Sequence, residues 1–158
     1  MLRDDSQAMT VRVDNAAFLS EVARLVGEGH TVTLPLRGYS MRPFLENGRD
    51  KAVLGRPEGV GVGDVVLARI GDGRYVLHRI VSIDGDGGVV LLGDGNLSTE
   101  SCRMGSIVAR AVGFYRKGRS TIDSTSGMKW RAYSAIWMRL RPFRRYLLFV
   151  YRNVFCKQ

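Results

Sequence analysis

The apolar positions of this chain change period twice. Phe18, Leu19, Val22, Leu25 and Val26 recur at the three-to-four spacing of one helix face, with Asp14 or Asn15 available as N-cap and Gly27 and Gly29 as stop signals. This predicts one amphipathic helix of about three turns. Beyond it the pattern shortens to β-branched runs bounded by glycine, which predicts strands over residues 31–36, 51–54, 64–70, 74–83, 88–92 and 106–115. Gly71-Asp72-Gly73 and Asp84-Gly85-Asp86-Gly87-Gly88 have the chemistry of tight hairpins, so the middle of the chain reads as an antiparallel meander. After a Ser/Thr/Gly-rich linker over 120–127, Trp130, Tyr133, Trp137 and Leu140 return to helical spacing until Pro142, predicting two short helices in 128–158. The expected organisation is an N-terminal segment with one helix (1–29), a β domain (30–119), the linker and a helical tail. The fold class is mainly β, α+β.

Charge sharpens the picture of the tail. Residues 1–115 hold 13 Lys and Arg against 14 Asp and Glu, whereas 116–158 hold 11 against the single acid Asp123. A near-neutral body carrying a basic tail predicts that an anionic partner is met by the tail. At 158 residues and 45% hydrophobic content, the chain can bury one core but not two full ones. Its two cysteines, Cys102 and Cys156, have neither metal-type nor C-x-x-C spacing, which points to a reducing compartment and away from a structural zinc site. The first residues carry acids where a signal peptide needs a positive flank, and no run is long and apolar enough to span a bilayer. The expected location is cytoplasmic, soluble or peripheral on the inner membrane surface.

Three short segments carry candidate chemistry. Gly38-Tyr39-Ser40-Met41-Arg42-Pro43 follows an apolar strand, a strand-to-turn junction that exposes a serine hydroxyl and leaves nearby backbone N–H groups free for an oxyanion. Val76, His78 and Ile80 alternate along a strand and share a face. Gly93-Asp94-Gly95-Asn96 closes the following strand, and if the two strands pair through their hairpin, Asp94 becomes the neighbour of His78 and can fix its tautomer. Each also has a plain structural alternative: a Ser-x-x-Pro turn, a core histidine and an Asp-Gly turn.

Taken in order, Ser40-Met41-Arg42-Pro43, Gly63-Asp64-Val65-Val66, His78-Arg79 and Gly93-Asp94-Gly95-Asn96 resemble the motifs of type I signal peptidases and their relatives in the signal-peptidase/LexA-like superfamily. A histidine where the bacterial branch has lysine is similar to the archaeal and endoplasmic-reticulum branch; the four lysines, Lys51, Lys117, Lys129 and Lys157, lie away from this motif. The resemblance spans roughly residues 31–112. It implies coiled antiparallel sheets forming a partly open barrel, and a serine endopeptidase acting through an acyl-enzyme. Ser40 is then the nucleophile, His78 the base and Asp94 its orienter, with no metal or cofactor. The Ser40 backbone N–H is the oxyanion donor, because Gly38 stands where many relatives carry a helping serine. Glu100 stands where the histidine branch carries a further aspartate and is the candidate second acid. The substrate is expected to lie extended along 31–38 and 74–77, beside Gly38, Tyr39, Met41, Pro43 and Val76, with small residues at the cleavage point. The membrane anchor of signal peptidases has no counterpart in this sequence.

The tail interleaves aromatics with arginines, among them Arg131, Trp137, Arg139, Arg141, Arg144 and Arg145. Two readings stand side by side: contact with an anionic membrane surface, or an aromatic face packed on the body with solvated arginines. Nucleic acid ranks third, since about 30 residues before the first strand leave no room for a helix-turn-helix. For the whole chain, the rival to a peptidase is a non-catalytic peptide- or membrane-binding module on the same fold.

Overall fold

The structure, a computed structural model, describes residues 15–156. Helix α1, Asn15–Gly27, turns Leu19, Val22 and Val26 into the core, as the apolar spacing requires. The expected cap at Asp14 lies outside the described residues. Strands follow as β1 Val32–Pro35, β2 Lys51–Gly55, β3 Val65–Arg69, β4 Tyr75–Ile83, β5 Gly88–Leu92, β6 Glu100–Arg103, β7 Ile107–Tyr115 and β8 Ile122–Ser124. Two helices end the described chain, α2 Met128–Arg139 and α3 Arg144–Phe155, joined by a short 3-10 turn at Arg141–Phe143.

The fold is α+β, with one antiparallel sheet in the order β1-β2-β7-β3-β4-β5-β6 and β8 paired beside β7. Strands β3 to β6 form the meander through successive hairpins, and β7 then returns to lie between β2 and β3. The sheet is open: β1 and β6 end it and no pairing closes it into a barrel. One face carries a core of α1, β2, β7 and α2 residues, including Val26, Leu54, Phe114 and Trp130. The other is covered by a smaller cluster around Val66, Ile80, Val89 and Leu91.

Strand β4 divides its side chains between these faces. Tyr75 and Leu77 pack against the first core, Val76 and Ile80 against the second. Strands β4 and β5 pair as Ser82↔Val90 and Ile83↔Val89, but after Val81 the register slips to Ile80↔Leu91 and Arg79↔Leu92. Val81 is therefore the extra residue of a β-bulge, which shifts everything beyond it by one position.

The tail departs from expectation. The segment expected as a linker instead contains β8, paired with β7 as Gly113↔Ser124 to Tyr115↔Ile122. Helix α2 packs on the body, burying Trp130 against Phe114 with ring centroids 4.7 Å apart. Trp137 and Arg144, both expected at a membrane or anion surface, are buried, with the Arg144 guanidinium 5.4 Å from the Trp137 ring. Among the described residues no helix is long and apolar enough to cross a membrane, and Cys102 and Cys156 are free thiols.

Two buried arginines set up a contrast. Arg79 is fully enclosed but donates to Asp94 through Nε and Nη2 at 2.9 and 2.7 Å, and through Nη1 to Gly63 O at 2.8 Å and Ser134 Oγ at 2.7 Å. All three guanidinium nitrogens of Arg144 are buried without a hydrogen-bond partner, and burial lowers its pKa from the ordinary arginine value. Removing Arg79 strands the Asp94 charge, so Arg79→Met is expected to cost about 3–5 kcal/mol. Arg144→Met removes an unpaired buried charge and should leave the melting temperature unchanged or raised. Thermal unfolding of both variants checks this, and equal damage from the two would overturn it.

Candidate functional site

Ser40 sits in a tight turn between β1 and β2. Leu36 N–H donates to Asp50 O and Gly48 N–H to Leu36 O, both at 2.9 Å, closing residues 36–50 into one loop. Asp50, fully buried, accepts the backbone N–H of Glu46 at 2.8 Å and of Lys117 at 2.9 Å, and pairs with Arg49. Burial works to raise its carboxyl pKa, but the Arg49 guanidinium and the two N–H donors outweigh it and hold the group below the usual carboxylate range. The Arg42–Pro43 bond is cis. Gly38 has φ +84° and donates its N–H to Asn47 Oδ1 at 2.9 Å. A serine there would meet no steric neighbour but would be held in the left-handed region, which accounts for glycine at this position.

The Gly93-Asp94-Gly95-Asn96 turn is the seat on which Ser40 rests. Gly95 N–H donates to Ser40 O at 2.8 Å. A Cβ on Gly93 would lie 2.5 Å from Ser40 O, and one on Gly95 2.7 Å from Tyr39 O, so both glycines are required by close backbone approach.

Between two strand edges lies a cavity of about 300 Å³ lined by Ser40, Met41, Asn96, His78 and Glu100, with Leu36 to Gly38 on one side and Arg74 to Leu77 on the other. Strand β1 pairs with β2, and β4 pairs with β3 on one side and with β5 only from Arg79 onward, so among the described residues each strand has one edge without a sheet partner beside the cavity. Of the expected substrate neighbours, Gly38, Met41 and Val76 line it. Tyr39 and Pro43 do not; Tyr39 is exposed and its ring lies 4.1 Å from the Arg42 guanidinium.

His78 and Ser40 line the same cavity, but Ser40 Oγ makes no hydrogen bond among the described residues. His78 is 4% exposed, and its Nδ1 lies 2.7 Å from Glu100 Oε2. Both atoms are shut off from solvent, and the approach is a close contact without well-aligned hydrogen-bond geometry. This leaves Nε2 for the cavity. Burial depresses the imidazole pKa below its ordinary value, and the Glu100 charge and contact pull it partly back up.

Asp94 does not orient His78. It is fully buried, bound bidentately by Arg79, and accepts the Tyr133 hydroxyl at Oδ2 at 3.0 Å. The reason is the bulge at Val81. Continuing the Ser82↔Val90 register would set Asp94 opposite His78; the slipped register sets Gly93 there and puts Leu92, and with it Asp94 two residues on, toward the Arg79 face. Glu100, which pairs with Leu91 at the start of β6, reaches His78 past the end of β5. Its sequence signal was only the spacing of six residues from Asp94.

Two hydrogen-bond donors at the cavity have no acceptor among the described residues. The Ser40 N–H has no acceptor among the described residues, and the half-buried Asn96 carboxamide lines the cavity with no hydrogen-bond partner among them. Among the described residues no group of three or more His, Cys, Asp or Glu side chains is placed to hold a metal ion. No protein-family model, curated protein or solved structure matches this chain.

The His78 environment has a direct readout. The chain has two histidines, so NMR titration with His30→Gln as assignment control isolates His78. Its midpoint is expected below the ordinary value of about 6.5, and Glu100→Gln, by removing the charge that favours the imidazolium, should move it lower still. A midpoint above 6.5, or one raised by Glu100→Gln, would contradict the arrangement.

Proposed function

We propose that this protein is a serine endopeptidase of signal-peptidase-like fold, with Ser40 as nucleophile, His78 as general base and Glu100 as the acid that positions it. The observation that carries the reading is the shared cavity. A serine in a turn and a histidine with one nitrogen against a carboxylate open onto the same space, bordered by two strand edges without partners. The four sequence motifs in order add support from resemblance. Asp94 has no catalytic part; with Arg79 it fixes the turn beneath Ser40.

An extended polypeptide adds itself to the free edges at 31–38 and 74–77, which sets the scissile carbonyl against Ser40. Ser40 Oγ attacks the carbonyl carbon while its proton passes to His78 Nε2. The oxyanion takes hydrogen bonds from Ser40 N–H and the Asn96 carboxamide, which does the work that a side chain at Gly38 cannot. Collapse breaks the C–N bond, and His78 returns the proton to the departing amine. Water then attacks the acyl-enzyme with His78 again as base, releasing the new carboxyl terminus and restoring the Ser40 hydroxyl. A depressed imidazole pKa keeps His78 unprotonated at neutral pH, so the acid limb of the rate should fall below about pH 6.5.

The test is to incubate the purified chain with secretory precursors and with itself, and to read new termini by mass spectrometry. Ser40→Ala and His78→Ala are expected to abolish cleavage, whereas Asn96→Ala should lower kcat by about 10²–10³-fold with little change in KM. Identical termini from the parent and Ser40→Ala would replace this reading with the non-catalytic binding module.

A further inference from the structure

Helix α3 is apolar on the wrong side. Its inward face is made by the buried Arg144 and Leu148 and the half-buried Tyr151. A helix docked on a soluble body should then turn polar groups outward. Instead Tyr146, Phe149, Val150 and Val154 stand 70%, 68%, 55% and 63% exposed, with Leu147 beside them and Phe143 exposed in the preceding turn. At 100° per residue these side chains sweep the whole outer arc, with Asn153 as its single polar member and Arg145 and Arg152 along one border. Nothing among the described residues covers this arc.

Charge decides what fits it. Residues 128–158 contain eight Lys and Arg and no acid. Arg131, Arg139, Arg141 and Arg145 are exposed and have no carboxylate partner among the described residues. A second copy of the chain would bring a like-charged surface against this one, so the basic border opposes self-association. A surface with an apolar interior and an anionic rim satisfies both features at once. At 12 residues, about 18 Å long, α3 is too short to cross a hydrocarbon core of about 30 Å and can lie only in the interface.

We propose that the outer face of α3 is a docking surface for an anionic lipid bilayer, with Tyr146, Phe149, Val150 and Val154 entering the acyl boundary and Arg139, Arg141 and Arg145 meeting lipid phosphates. The helix touches the candidate site: Arg152 Nη2 donates to Gly95 O at 3.4 Å, and Arg42 Nη1 approaches Cys156 Sγ at 3.5 Å. Docking through α3 therefore holds the turns around Ser40 one helix diameter, ~10 Å, from the bilayer surface, where, on the peptidase reading above, polypeptide emerging from or lying along a membrane is the accessible substrate.

The experiment is co-sedimentation of the full chain with phosphatidylcholine vesicles and with mixed phosphatidylglycerol/phosphatidylcholine vesicles, a readout independent of peptide cleavage. Binding to the mixed vesicles is expected, at least about tenfold weaker to phosphatidylcholine alone and weakened by salt. The variant Phe149→Asp/Val154→Asp, whose substitutions lie on the exposed arc and should leave the melting temperature unaltered, is expected to lose binding about tenfold or more. Absence of binding to the mixed vesicles, or equal binding by the variant, overturns the proposal. A self-associated species in sedimentation that the variant lacks would assign the face to a second copy. Capture of an RNA oligonucleotide in place of vesicles would assign it to nucleic acid. Either result also overturns the bilayer.

Discussion

The buried Arg79–Asp94 pair is the constraint around which the functional end of this molecule is built. Taking both charges out of water costs several kcal/mol per ion, and that cost is met only where the geometry is good and the remaining donors are satisfied. Here both carboxylate oxygens are engaged by the guanidinium, Asp94 takes a further bond from Tyr133, and Arg79 spends its other terminal nitrogen on Gly63 O and Ser134. Burial works against the Arg79 charge, and the Asp94 carboxylate outweighs it, raising the guanidinium pKa. Four separate segments meet at one pair: β4, the loop entering β3, the 93–96 turn and α2. Breaking it would release the seat of Ser40 and the contact that docks the tail.

This pair also decides where His78 points. Adjacent residues on a strand face opposite ways, so a guanidinium drawn into the core beneath α2 turns its neighbour toward the second face and the cavity. His78-Arg79 is thus one device with two outputs, a structural cation on one side and an imidazole on the other. The Gly93-Asp94-Gly95-Asn96 turn divides its work likewise. Asp94 anchors it inward, the two glycines admit the backbone of residues 39 and 40, and Asn96 faces the cavity.

Much of this was legible in the chain. The helix at 15–27, six strands and the two tail helices follow from apolar periodicity, because each buries one face of regular period. What escaped has a physical reason. Strand β6, Glu-Ser-Cys-Arg, is an edge strand with no fully buried side chain, so it shows no apolar alternation. Strand β8 is three residues long and is held by pairing with β7 more than by its own composition. The acid beside His78 differs from the one expected because a one-residue bulge leaves no compositional mark: Val81 sits in an ordinary apolar run, yet it shifts the register so that Gly93, not Asp94, falls opposite His78. Arginine-aromatic spacing is the same whether the rings meet lipid or the body, so it left both readings of the tail open, and Trp137 and Arg144 follow the second.

His78 holds a balance between two opposing effects. Burial lowers the imidazole pKa, and a carboxylate 2.7 Å from Nδ1 restores part of its basicity. The length of that acid matters, because β6 lies one strand beyond β5 and its carboxylate must extend around the end of β5 to reach the ring. Glutamate has one more methylene than aspartate for that reach. The bulge that turns Asp94 toward Arg79 also leaves Gly93 opposite His78, and the carboxylate beside the imidazole is that of Glu100. Asp94 and Glu100 thus serve different neighbours, the first the Arg79 guanidinium and the second the His78 imidazole.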